Sequence, residues 1–146
     1  MSRIPILKVE DTLMVSIQVE LHDQQALDLQ EDILSEIDRT QAKGLLIDVT
    51  ALEVVDSFLG RLISDTAAMA RMMGTQTVLV GLRPAVAITL VELGLDLPGV
   101  QTALNVERGL ALIRRNVVRP SDMSGDLSEA GKEGRRDAGA LPKDSH

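Results

Sequence analysis

Two short, nearly continuous apolar segments constrain the fold of this chain more than any other feature. They are LLIDV at residues 45–49 and QTVLVGL at residues 76–82, and a pattern with helical spacing lies between them. Apolar runs this short indicate strands buried on both faces, as in a sheet covered by helices. A strand, a helix and a second strand in this order favour parallel pairing, so the sequence predicts an α/β fold.

The segment before this central unit predicts a hairpin and a helix. Two β-rich stretches, RIPILKV and TLMVSIQV, are joined across Glu10 and Asp11, which is typical of two antiparallel strands. A helix is predicted from about Asp23 to Thr40, with Asp23 as its cap. Its apolar positions recur at the spacing of one helical face; they are Ala26, Leu29, Ile33 and Ile37.

Three more helices and a last strand are predicted after residue 49. One helix runs from Ser57 to about Met73 and ends at Gly74, and Pro84 lies in the first turn of the next. The apolar face predicted for the first of these helices is Phe58, Leu62, Met69 and Met73, with Ile63, Ala67 and Ala70 alongside. VQTAL predicts a strand and VERGLALIRR a closing helix. The whole order predicts a mixed, mostly parallel sheet with helices packed on it.

The composition changes after Arg115. The remaining stretch is rich in Ser, Gly, Asp and basic residues, and it has no sustained apolar period. Such a segment cannot bury enough apolar surface to offset its ordering entropy. We therefore predict one folded domain at residues 1–115 and a disordered tail at residues 116–146.

Composition also excludes several classes of function. The chain has no cysteine and only two histidines, His22 and His146, so a metal site or a Ser-His-Asp triad is hard to build. The net charge of −7 and a single aromatic, Phe58, argue against nucleic acid as a partner. No apolar stretch has membrane-spanning or signal-peptide length. We expect a cytoplasmic protein without a membrane partner.

Three interpretations of the chain as an enzyme or a phosphate-binding protein are excluded, because the motifs they require are absent or misplaced. Neither a P-loop nor a GxGxxG motif is present, so no nucleotide cofactor is predicted. Asp48 would suit a phosphoacceptor of a receiver domain, but the acidic pair such a domain needs for Mg²⁺ falls in the hairpin turn. Ser57 lacks the GxSxG elbow of a serine hydrolase. No catalytic residue, cofactor or metal ligand is predicted.

The stretch VVDSFLG, residues 54–60, remains as a candidate functional site. It places Asp56 and Ser57 side by side at a predicted helix N-terminus, where backbone N–H groups are unpaired and negative charge is favoured. Ser57 would serve as an N-cap if its hydroxyl accepted from the amide of Gly60. Alternatively, the hydroxyl is where the protein is modified, and the local pattern alone leaves both interpretations open.

A family resemblance favours modification. DVTALEVVDSFLGR resembles the STAS domains, the anti-sigma-factor antagonists in which a partner kinase phosphorylates the serine of an Asp-Ser pair. The chain is similar in particular to the RsbS-type subunits of the bacterial stressosome. The stretches that carry this likeness are IPILKVEDTLMVSIQVEL, LQEDIL, VVDSF, RPAVAITLVELGLDL and TALNVERGLALI. The similarity spans about residues 3–115 and implies a single STAS domain without a sensor module or membrane transporter.

The resemblance also implies a mechanism. The chain would be no enzyme but a scaffold that, with sensor-bearing STAS paralogues and copies of itself, sequesters a GHKL-type serine kinase in a large assembly. Phosphorylation of Ser57 would release the kinase, and a metal-dependent phosphatase would reset the site. Residues expected to support the phosphosite or dock the kinase are Glu53, Asp56, Phe58, Gly60 and Arg61.

Some roles within this mechanism stay open. Asp56 either orients the serine hydroxyl or caps the helix, and Phe58 either anchors the kinase or packs in the core. Thr89 is a conceivable second phosphoacceptor. Two rival functions also remain: a two-partner antagonist without a large assembly, and a STAS regulator that binds a small molecule or nucleotide. The sequence does not predict the signal, the downstream output or the number of copies in an assembly.

Overall fold

The computed structural model describes residues 3–95 and 97–116. Within them the predicted order of strands and helices is confirmed. The elements are β1 Ile6–Val9, β2 Thr12–Ser16, α1 Asp23–Thr40, β3 Gly44–Asp48, α2 Ser57–Met72, β4 Gln76–Val80, α3 Pro84–Glu92, β5 Gln101–Ala103 and α4 Val106–Asn116. The disordered tail predicted for residues 116–146 lies, after Asn116, outside the described residues.

The five strands form one mixed sheet in the order β1-β2-β3-β4-β5. β1 pairs antiparallel with β2, and every later neighbour pairs in parallel. The predicted turn of the hairpin is confirmed, and Glu10 adopts a left-handed conformation there (φ 55°). The prediction of a mixed, mostly parallel sheet is therefore confirmed.

The two faces of the sheet are covered unequally. Strand side chains alternate between the faces, so Leu45 and Ile47 enter a large core with α1, α2 and α3. Leu46, between them, enters a smaller core with Ile113 of α4. Right-handed crossovers between consecutive parallel strands place the connecting helices on one face. Helices α2 and α3 follow the parallel strands β3 and β4 along the chain, so both helices begin at the edge of the sheet where these strands end.

The apolar face of α1 is confirmed, but its predicted cap is wrong. Ala26, Leu29, Ile33 and Ile37 are all buried, as the spacing indicated. The N-cap is His22, because Asp23 already has helical geometry. The side-chain oxygen of Gln25 reaches back and accepts from the His22 backbone N–H at 2.9 Å, which satisfies a donor that the helix leaves unpaired.

The apolar face predicted for α2 is partly wrong. Phe58, Met69 and Met73 are 37–41% exposed, whereas Leu62, Ile63, Ala67 and Ala70 are buried as expected. The buried residues of this helix include several small ones and span a wide arc; they are Leu59, Gly60, Leu62, Ile63, Thr66, Ala67 and Ala70. The arc is wide because α2 packs on the sheet while α1 and α3 flank it, and small side chains allow this close approach.

Candidate functional site

The loop between β3 and α2 presents the Asp-Ser pair to solvent. Two apolar residues anchor the loop in the core, since Leu52 and Val55 are each 2% exposed. Between them, Glu53 and Val54 face outward, and Val54 is 57% exposed. The loop is thus held from inside at two points, and its remaining side chains form a solvent-facing surface that leads into the helix.

Asp56 caps helix α2. Its backbone is extended, and its Oδ1 atom accepts from the backbone N–H of Leu59 at 2.8 Å. The N–H of Gly60 donates to the main-chain carbonyl of Asp56 at 2.9 Å. The prediction that Ser57 caps the helix by accepting from Gly60 is therefore wrong. The cap lies one residue earlier, where the extended backbone points a carboxylate at the open N–H groups.

Ser57 is the first residue of this 16-residue helix and is exposed. Within the described part of the chain, its hydroxyl has no hydrogen-bond partner. Because Asp56 performs the capping, the hydroxyl is not needed to hold the helix together. It lies at the helix terminus where unpaired N–H groups and the helix dipole favour negative charge. The site can therefore accept an anionic group without losing a structural contact.

The other predicted site residues divide between two sides of the first turn of α2. Phe58 and Arg61 are exposed beside Ser57, so the interpretation of Phe58 as a core residue is wrong. Gly60 is buried instead, and a Cβ atom there would lie 2.9 Å from Cδ2 of Leu90 and 3.1 Å from Cδ1 of Leu95. Gly60 thus allows α2 and α3 to pack closely. Ser57, Phe58 and Arg61 form the outward surface.

Sequence reasoning missed a polar cluster beside the loop. Oδ1 of Asp48 accepts from the backbone N–H of Thr50 at 2.9 Å and also from the Thr50 hydroxyl. Nε of Arg83 donates to the Thr50 carbonyl at 3.3 Å. Gly81 packs directly on this threonine, since a Cβ atom there would lie 1.8 Å from Thr50 Oγ1. The start of the serine-bearing loop is thereby fixed to the connection between β4 and α3.

Other candidate features lie away from this surface or are not found. Thr89 is exposed on α3, and its hydroxyl donates to the carbonyl of Ala85 at 2.9 Å. Across residues 3–95 and 97–116, no group of three or more His, Asp or Glu side chains is arranged to hold a metal ion. No helix in these same ranges is long and apolar enough to cross a membrane.

Comparison with known families and proteins gives consistent matches. Residues 3–108 match the STAS domain family. The chain is 30% identical over 107 residues to the RsbT co-antagonist protein RsbRA of Bacillus subtilis (strain 168). That match covers 73% of this chain but 39% of the relative, so the chain spans about two-fifths of the relative's length.

Two solved structures are similar to this chain over nearly their whole length. RsbS from Moorella thermoacetica, solved as a serine-to-glutamate variant, has 46% sequence identity and a TM-score of 0.71, and the match covers 78% of this chain and 97% of that chain. A chain from the architecture of the stressosome, described as a signal integration and transduction hub, has 48% identity and a TM-score of 0.68. There the match covers 76% of this chain and 96% of that one.

Proposed function

This chain belongs to the STAS domain family, and on that premise we propose that it is a non-catalytic phospho-switch subunit of a stressosome-type assembly. It acts as an anti-sigma-factor antagonist that sequesters a serine kinase. Phosphorylation of Ser57 releases the kinase to its next partner. The similarity to the Moorella RsbS and to a stressosome chain supports the general role, and the surface around Ser57 supports the switch.

The observation that carries the proposal is that Asp56 caps the helix while the neighbouring Ser57 stays exposed. Asp56 caps the helix through the Leu59 N–H, which leaves the exposed hydroxyl of Ser57 free for transfer. A phosphate placed there meets the positive end of the helix dipole, which favours it by about 0.3–1 kcal/mol. Modification of Ser57 therefore leaves the fold intact and changes only the surface.

The change at the surface is mainly electrostatic. A phosphate adds roughly 1.5–2 negative charges at neutral pH, next to the carboxylates of Glu53 and Asp56. A partner docked on the neutral hydroxyl then meets repulsion and loses its close contact. Each tenfold loss of kinase affinity needs about 1.4 kcal/mol of difference between the two states, because only differential affinity shifts the equilibrium.

The remaining site residues have roles on either side of the hydroxyl. Val54 and Phe58 are exposed apolar side chains that flank Ser57, and we assign them to the kinase contact together with Arg61. Glu53 makes the loop acidic, and Asp56 fixes the first turn and so orients the serine. Gly60 supports the site from below by letting α2 pack against α3.

The proposed partners follow from this role. They are a GHKL-type serine kinase, a metal-dependent phosphatase, further copies of this chain and a sensor-bearing STAS paralogue. The identity to RsbRA, a co-antagonist of which the chain spans 39%, supports the paralogue. The kinase supplies the nucleotide chemistry, so the proposal assigns no catalytic residue to this chain.

The experiment is intact mass after incubation with ATP and the kinase from the same organism. Ser57→Ala is the matched variant, because its fold keeps the Asp56 cap. We expect one added phosphate on the wild type and none on the variant. No phosphate on the wild type, with the kinase shown to be active on another substrate, would contradict the proposal. A thermal-shift screen with nucleotides then tests the ligand-binding alternative.

A further inference from the structure

Arg83 lies at the same edge of the sheet as Ser57. β3 and β4 are parallel neighbours with Asp48 paired to Val80, so the chain leaves both strands at one edge. Helix α2 follows the first of these strands and begins at Ser57, and α3 follows the second, with Arg83 as its N-cap. The N-terminal ends of both helices therefore lie at this edge.

The packing of Gly60 shows how the two helices align. A Cβ atom on this residue of the first turn of α2 would meet the side chains of Leu90, on α3, and Leu95, which follows α3. Helical side chains lean toward the N-terminus of their own helix, so the contact lies nearer the start of α3 than the Leu90 backbone does. Ser57 precedes Gly60 by three residues, so it lies about one helical turn nearer the start of α2, on the exposed surface with Phe58 and Arg61. Ser57 therefore lies beyond this contact, toward the edge of the sheet at which both helices begin.

The guanidinium of Arg83 is held beside the serine-bearing loop. Its Nε donates to the Thr50 carbonyl at 3.3 Å, and Thr50 is itself fixed by Asp48. An arginine side chain has five N–H donors, so the terminal nitrogens remain available while Nε is engaged. Among the described residues these nitrogens have no hydrogen bond or ion pair, and Arg83 is exposed.

The charges around Ser57 call for a cation once phosphate is present. Asp56 adjoins Ser57 and Glu53 lies in the same loop, whereas the first two turns of α2 contribute one cation, Arg61. A dianionic phosphate beside these carboxylates is destabilised unless a positive group offsets the repulsion. Arginine suits this role because its planar fork pairs with two phosphate oxygens at once.

We propose that Arg83 binds the phosphate on Ser57 through its terminal guanidinium nitrogens while its Nε stays on the Thr50 carbonyl. This inference rests on the proposed function, since it gives Arg83 a role only in the phosphorylated chain. Arg83 thereby joins α3 to the phosphorylated N-terminus of α2. The phosphorylated surface differs from the free one in the arrangement of this arginine as well as in charge.

The test uses protein with phosphoserine installed at position 57 during translation, so that it does not depend on a kinase. The second ionisation of the phosphate is followed by ³¹P NMR as a function of pH. A nearby guanidinium favours the dianion and lowers the phosphate pKa, so Arg83→Gln raises that pKa by about half a unit. Arg83→Lys keeps the charge but not the fork, and we expect a smaller rise.

Arg108→Gln is the matched control, because Arg108 is an exposed arginine on α4, which packs on the other face of the sheet. It removes the same charge, and we expect little effect on the phosphate. Equal pKa values for Arg83→Gln and Arg108→Gln in folded protein would overturn the inference, as would a full shift produced by Arg61→Gln alone. A kinase that fails to phosphorylate Ser57 would contradict the proposed function and leave this result unaffected.

Discussion

The carboxylate of Asp56 accepts from the backbone N–H of Leu59 at 2.8 Å, and under the proposed function this contact separates the stability of α2 from the signalling role of Ser57. Asp56 stabilises the first turn of the helix, and the hydroxyl of the neighbouring Ser57 makes no hydrogen bond within the described residues. Two adjacent residues that look alike as capping candidates thus have different tasks. The separation also makes the two tasks independently testable.

Substitution of Asp56 should lower the free energy of unfolding, whereas substitution of Ser57 should leave it almost unchanged. Asp56→Ala removes the cap and lowers the free energy of unfolding by about 0.5–2 kcal/mol, whereas Asp56→Asn keeps an acceptor and costs much less. Ser57→Ala should stay within about 0.5 kcal/mol of the wild type, as expected at a surface site without contacts. Urea denaturation measures all three. If Ser57→Ala were as destabilising as Asp56→Ala, the serine would share the capping role.

Gly60 should be sensitive to a single added methyl group. Gly60→Ala places a Cβ atom 2.9 Å from Cδ2 of Leu90, and overpacking of this kind costs about 1–3 kcal/mol. The gain in helix propensity, up to about 1 kcal/mol, offsets part of that cost. We therefore expect a modest net loss of stability together with slower phosphorylation of Ser57, because the first turn of α2 shifts away from α3.

A double-mutant cycle isolates this clash. Leu90→Ala alone creates a cavity and costs about 2–5 kcal/mol, but it also removes the nearer of the two atoms that the new methyl group meets. The combined variant should therefore lose less free energy of unfolding than the sum of the losses in the two single variants. Strictly additive free energies of unfolding would show that Gly60 and Leu90 do not crowd each other.

A pair of buried threonines on and beside β4 tests the packing of the main core. Thr77 is 2% exposed and its Oγ1 atom has no hydrogen-bond partner among the described residues, whereas Thr75 Oγ1 donates to the Ala42 carbonyl at 2.7 Å. Replacing an unpaired buried hydroxyl by a methyl group is neutral or stabilising, and breaking a buried hydrogen bond costs about 1–3 kcal/mol.

Thr77→Val should therefore match or exceed the wild-type midpoint in urea, and Thr75→Val should fall below it. The two variants make the same chemical change at neighbouring buried positions, so each is the control for the other. Equal losses at both positions would mean that the Thr77 hydroxyl contributes as much as a bonded one.

The order of elements was predictable because each strand is a short apolar run and each helix follows its own spacing. The face of α1 was predictable too, since its apolar residues lie on one side only. The face of α2 was predictable only in part, because alanine, methionine and leucine surround this helix and the neighbours α1 and α3 decide which of them are covered. The cap was misplaced by one residue, because both Asp56 and Ser57 are good N-cap residues.

Arg83 could not be assigned to the site from the sequence. Its contact with Thr50 joins residues 33 positions apart and exists only because β3 and β4 are adjacent and end at one edge. Nothing in the local pattern around the Arg83-Pro84 pair indicates that relation. The same holds for Gly60, whose small size is explained by two residues distant in sequence, Leu90 on α3 and Leu95 after it.

The most direct test of the account is the affinity of the kinase for this chain with and without phosphate on Ser57. Unmodified protein and protein with phosphoserine installed at position 57 are titrated with the kinase by isothermal calorimetry, and Ser57→Ala serves as a third, uncharged form. We predict that the phosphorylated chain binds at least about tenfold more weakly, a difference of about 1.4 kcal/mol, while Ser57→Ala binds like the unmodified chain. Equal or tighter binding of the phosphorylated chain would contradict the proposal that phosphorylation releases the kinase.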